Sequence, residues 1–102
     1  MTTTCTLPPK FHPGRLLATP AALGAIRQGG QLPADFLDAH LQGHWGDLGD
    51  EDSRLNDLAL IDGSRLLSAY KTLRGERLWI ITEAADDHGR RAATTLLLPS
   101  EY

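Results

Sequence analysis

A chain of 102 residues with 10 basic and 13 acidic side chains, a net charge of −3, one Cys and 41% apolar residues holds the material for one domain with one core. A domain of this size buries roughly two thirds of the surface its unfolded chain exposes, so it needs neither disulfide nor metal. It is too short for a doubly wound sheet or an eight-stranded α/β barrel, which take more than ~150 residues, and the enzyme classes built on those folds are excluded.

The single Cys5 has no internal disulfide partner, which fits a reducing, cytoplasmic setting. The first thirty residues lack the basic and apolar regions of a signal peptide, and no apolar run approaches the ~18 residues of a membrane span. Neither export nor membrane association is expected.

Residues 1–13, MTTTCTLPPKFHP, have no hydrophobic period and are rich in Thr and Pro. They read as an extended or disordered arm that Phe11 anchors, followed by a single domain over 14–102. Arg15 to Ala18 reads as a short strand. Thr19-Pro20 is an N-cap followed by a proline at the first helical position, and Gly29-Gly30 ends that helix. Pro33 restarts a helix whose Phe36, Leu37, His40 and Leu41 make one buried stripe, with Asp35 and Asp38 facing out and Gly43 as the stop. The glycine-interrupted HWGDLG segment reads as a loop. Asp50 opens a third helix with Glu51 and Asp52 in its first turn, where negative charge is favoured, and Gly63 closes it. Its spacing assigns Leu55, Leu58, Ala59 and Ile61 to the buried side.

After Gly63 the period shortens towards 2, giving strands over 64–72, 77–83 and 90–98. The fold class is therefore α+β, with an antiparallel sheet of three to four strands and about three helices inserted after the first short strand. Alternation sets Leu66, Ser68, Tyr70, Leu78 and Ile80 on one face and Trp79 and Ile81 on the other. Helices cover the first face. The second carries a joined apolar patch, and its expected cover is the N-terminal arm or a second copy of the chain in a homodimer.

Charge is unevenly distributed. Residues 35–62 carry eight acids against Arg54, a local charge of −7, whereas residues 1–34 carry three bases and no acid. Capping does not use all these acids, so Asp35, Asp38, Asp47, Asp52 and Asp57, with Trp45 at their edge, are the candidate contact for a basic protein partner. Arg74, Arg77, Arg90 and Arg91 at the hairpin ends supply a weaker case for direct nucleic-acid binding in an acidic chain. His40 and His44 have a zinc-like spacing, but Gly43 breaks the helix between them; no metal and no cofactor are expected. Catalytic signatures are absent. The competing enzyme reading, a small hydrolase or nuclease using His44, Asp47 and Glu83, rests on residue types alone.

Taken together, FHPGRLLATPAAL, HWGDL, NDLAL, GSRLLSAY, LWIITEA and TTLLLPSEY resemble a family of small uncharacterised bacterial proteins associated with plasmids and integrative elements, over residues 11–102. Some members carry the label plasmid-related protein, others type I restriction endonuclease subunit M. The chain has neither the glycine-rich cofactor loop nor the Asn-Pro-Pro-aromatic motif of an adenine methyltransferase, so the resemblance implies no methyl transfer and carries over no catalytic residue. What it implies is a non-catalytic binding or regulatory protein of a mobile element.

Overall fold

The computed structural model describes residues 8–102; Cys5 and the start of the arm lie outside them. Four strands, β1 (Arg15–Ala18), β2 (Leu66–Lys71), β3 (Arg77–Thr82) and β4 (Ala93–Leu97), form one sheet in the order β1-β4-β3-β2. Three helices, α1 (Pro20–Gln28), α2 (Pro33–Leu41) and α3 (Asp50–Asp62), fall between β1 and β2, and a 3-10 turn (Pro99–Glu101) follows β4. The class is α+β. The sheet is mixed where an antiparallel one was expected, because β1 lies parallel to β4, Arg15 opposite Ala93 and Ala18 opposite Leu96. A chain that leaves β1 through three helices has the length to cross over the sheet, which a parallel pair requires.

Local chemistry sets the helix ends. The Thr19 hydroxyl accepts the Ala22 N–H at 3.1 Å and donates to Glu101 at 2.7 Å, so one side chain caps α1 and ties down the C-terminal turn. The Asp35 carboxylate accepts the Leu32 N–H at 2.9 Å. α3 lacks a side-chain cap; three acids in its first turn face the partial positive charge there. Its far end has no basic residue of its own, and Arg91 fills that role from beside β4, donating to the carbonyls of Ala59, Ser64 and Glu83.

Strand register sets Leu66, Ser68, Tyr70, Leu78, Ile80, Thr82, Thr94 and Leu96 on the face towards the helices. Two apolar clusters form there. Ala22 and Ile26 of α1 and Phe36 of α2 pack on Leu78, Ile80 and Leu96, while Trp45, Ala59 and Leu66 form the second cluster with Phe11, Leu48 and Leu60 at its margin. Lys10 to Pro13, assigned to the arm by the sequence reading, are part of this packing: the Lys10 N–H bonds the Leu41 carbonyl and Phe11 meets His40 edge-on.

The opposite face differs from expectation. Ile81 is only 6% exposed within the single chain, and the ring against Trp79 is Tyr102, edge-on at 5.6 Å, itself held by Arg65. Tyr102, just past the C-terminal turn, thus covers part of Trp79, while the described part of the N-terminal arm lies on the helix side. The joined Trp79 and Ile81 patch offered for a homodimer is thus reduced to Trp79 and its exposed neighbours.

α3 is the larger departure. Ala59 faces the sheet as expected, but Leu55, Leu58 and Ile61 are 57%, 51% and 85% exposed, and the polar Asn56 is buried in their place. Asn56 explains the rotation. Its amide donates to the Leu67 carbonyl at 2.6 Å and its carbonyl accepts the Leu67 N–H at 3.2 Å, satisfying both outward backbone groups of that residue on edge strand β2. One residue pair further along, the Trp45 carbonyl and the Asp47 N–H pair with Ala69, so the HWGD segment is a short bridge on the same edge rather than a free loop. Only glycine fits its centre: Gly46 has φ of +81°, and a Cβ there would meet the Ala69 carbonyl at 1.9 Å. Turning α3 to bury its leucines would unpair the β2 edge.

Asn56→Ala should therefore lower folding stability by about 1–3 kcal/mol, the range for stranding backbone polar groups, although it removes no apolar contact. Urea denaturation reads this directly, and a loss within experimental error would show that α3 is oriented by something else.

Candidate functional site

The strongest cluster of titratable and nucleophilic side chains is buried. His40, Ser68, Thr82 and Thr94 are all 0% exposed and form one hydrogen-bonded column between the two apolar clusters. Its polarity follows from its last member. Thr94 hydroxyl donates to the Pro13 carbonyl at 2.8 Å, which can only accept, so Thr94 Oγ1 accepts from the Thr82 hydroxyl at 2.7 Å. Thr82 Oγ1 in turn accepts from His40 Nε2 at 2.8 Å, leaving Nδ1 as the acceptor of the Ser68 hydroxyl. His40 is thereby fixed as the neutral Nε2–H tautomer. Phe11 and Trp45 close over it edge-on, with ring centroids at 5.2 and 5.6 Å.

A serine bonded to a histidine suggests a nucleophile and its base, but substrate must reach the nucleophile. Ser68 is sealed and the imidazole is pushed down to about 4, first by burial and then by the positive charge of Arg91. The column holds the fold together. The sequence places His40 on the buried stripe of α2; the structure bonds both its nitrogens, to partners legible only as the unusual polar positions 68, 82 and 94 on the inward face.

The residues of the enzyme reading do not converge. Asp47 is tied to Ala69, which pairs with Trp79, whereas Glu83 lies four residues beyond Trp79, about 13 Å along a strand. His44 is an exposed loop residue whose carbonyl accepts the Tyr70 hydroxyl. Among the described residues no three His, Cys, Asp or Glu side chains are placed to hold a metal ion. The arginines also separate: Arg74 and Arg77 sit at the β2–β3 hairpin, and Arg90 and Arg91 at the other end of β3, with Arg91 occupied by three carbonyls. The two arginine pairs are thus separated by the length of β3.

The acidic contact splits likewise. Trp45 is 5% exposed and its indole N–H donates to Asp57 at 3.0 Å, so it is a core residue rather than a surface anchor, and Asp57 is its hydrogen-bond acceptor. Asp35 caps α2. All five carboxylates are exposed, Asp38, Asp47 and Asp52 as well as the two that make these bonds. The outer face of α3 is what sequence reasoning missed. Glu51, Leu55, Leu58 and Asp62 follow at i, i+4, i+7 and i+11, one line along the helix, with Ile61 beside them. Hydrogen bonds from Ser64 hold the Asp62 carboxyl below its ordinary value, so this end of the line is anionic. The apolar spacing was visible in the sequence; its direction depended on Asn56.

No family model, curated protein or solved structure matches the chain. Among the described residues no helix is long and apolar enough to cross a membrane.

The His40 site makes a prediction with a definite sign. Unfolded, the imidazole takes a proton as pH falls through about 6.5; folded, it resists until about 4. Stability present above pH ~6.5 is therefore lost on acidification across that window, by about 3 kcal/mol at about 1.4 kcal/mol per pKa unit. His40→Gln should be less stable at neutral pH and should lack this part of the acid dependence. Urea midpoints of both proteins at pH 7 and pH 4.5 check it; parallel losses would mean that the imidazole does not report on folding.

Proposed function

We propose that this is a small non-catalytic binding or regulatory protein of a bacterial mobile element, and that it docks through the outer face of α3 onto a basic amphipathic helix of a protein partner. The carrying observation is that α3 presents Leu55, Leu58 and Ile61 to solvent and buries Asn56. A local arrangement that departs from the usual apolar-in pattern is where function is sought. Glu51 and Asp62 close the two ends of the apolar line, and Asp52 lies beside the first, so the complementary partner has an apolar stripe with Lys or Arg at its ends. Resemblance to plasmid and integrative-element proteins supports the setting, and the single Cys supports a reducing cytoplasm. The partner contact thus moves from acids with Trp45 at their edge to an apolar stripe framed by acids.

Replacing Leu55, Leu58 and Ile61 together by Gln should cost no more than about 2 kcal/mol, because Ile61 is largely and the two leucines half solvated already. The same variant should lose binding to a designed helical peptide with a leucine stripe and terminal lysines. Wild type should bind that peptide, weaken with salt, and ignore a scrambled peptide of equal composition. Peptide binding retained by the variant would remove α3 as the docking face.

A further inference from the structure

A second surface lies on the sheet face away from the helices and is independent of α3. There Lys71 of β2 stands directly opposite Arg77 of β3, and the next pair on that face is Ala69 opposite Trp79. Like charges paired across strands are unfavourable, and neither cation has an acidic partner among the described residues. The small Ala69 leaves the space beside the indole unfilled. Along the strand edge, the Gly46 bridge brings Asp47 against this gap, its N–H on the Ala69 carbonyl at 2.6 Å. The result is a cavity of about 250 Å³ lined by Asp47, Ala69, Tyr70, Lys71, Arg77 and Trp79.

The three chemistries at this cavity are distinct and spatially ordered. Two cations at one end suit a phosphate, with the Arg77 guanidinium able to form paired hydrogen bonds to its oxygens. The indole with the bare Ala69 beside it suits a flat ring, since aromatic stacking holds bases whatever their edge pattern. Asp47 is an acceptor for a ring or exocyclic N–H. The volume lies just below the ~300–1,000 Å³ usual for ligand pockets, which limits the occupant to one such unit.

We infer that the Lys71–Arg77–Trp79 cavity binds a single nucleotide unit, phosphate on the two cations and base beside Trp79, with Asp47 receiving an N–H from the base. A free nucleotide and one residue of a single strand share this chemistry.

Trp79 is the reporter, because Trp45 is buried on the opposite face of the sheet. The full chain is titrated with adenosine 5′-monophosphate, with inorganic phosphate, and with a short single-stranded oligoadenylate, following tryptophan fluorescence. Saturable quenching by the mononucleotide is expected, absent in Trp79→Phe and competed by phosphate. Lys71→Gln with Arg77→Gln should weaken it by about tenfold or more. Ala69→Leu, which leaves every charge in place and fills the space beside the indole, should also abolish it. Tighter binding of the oligoadenylate than of the mononucleotide assigns the unit to a strand, and equal or weaker binding assigns it to a free nucleotide. The inference is overturned if neither ligand quenches Trp79 at about millimolar concentration, or if binding survives both the double charge variant and Ala69→Leu. Because Leu55, Leu58 and Ile61 lie on α3, their Gln variant should bind nucleotide normally, which separates this result from that of the docking face.

Discussion

A neutral imidazole in a dry core must have both ring nitrogens satisfied, and His40 imposes that requirement on the rest of the molecule. The chain from Ser68 through His40, Thr82 and Thr94 to the Pro13 carbonyl joins β2, α2, β3, β4 and the segment before β1. Removing any member strands its neighbours at a cost of about 1–3 kcal/mol each, so the column is worth more intact than its separate bonds. It also explains why three positions on the inward face of the sheet carry hydroxyls where Val or Leu would bury more area. Those hydroxyls divide the apolar core, setting α1 and α2 over one cluster and Trp45 with α3 over the other. No buried side-chain polar atom among the described residues is left without a partner, which is the condition for a polar column inside a small core.

The second cluster rests on a related economy. Trp45 buries its ring while its N–H reaches Asp57 across the surface of α3, and Asn56, one residue earlier, turns inward to pair with Leu67. Adjacent residues of one helix thus hold a loop and a strand edge by polar contacts. The remaining faces of α3 are free to carry apolar groups outward. Packing elsewhere is ordinary: Ile26, Leu78, Ile80 and Leu96 are enclosed, each stabilising by about 1.5–3 kcal/mol relative to exposure.

Much of this was legible in the residues. Thr19-Pro20, the Pro33 restart and Gly63 mark the helix boundaries, and alternation after Gly63 gives the three strands and their inward face, because caps and periods are local signals. What escaped depends on contacts distant in sequence. The inward side of α3 is chosen by an amide paired with Leu67, and apolar periodicity read by itself points the wrong way. The parallel β1 pairing joins opposite ends of the chain, and Tyr102 reaches Trp79 from beyond the next strand, where no local pattern speaks. Of the acidic contact, the exposure of the aspartates could be read from charge; the burial of Trp45 and the apolar stripe needed the structure.

The strand order has a consequence for how the protein is made. β4 is synthesised after the other three strands, yet it lies between β1 and β3 and, among the described residues, is the one strand that pairs with β1. On the ribosome, β1 emerges before the other strands and waits through three helices and a hairpin, its backbone groups towards β4 unpaired, before its partner appears. The β2–β3 hairpin can form during that interval, but the sheet closes from its late inner strand outward to its earliest edge. Among the described strands, this early edge therefore keeps its backbone hydrogen-bonding groups unpaired the longest, and its pairing is the step that closes the sheet.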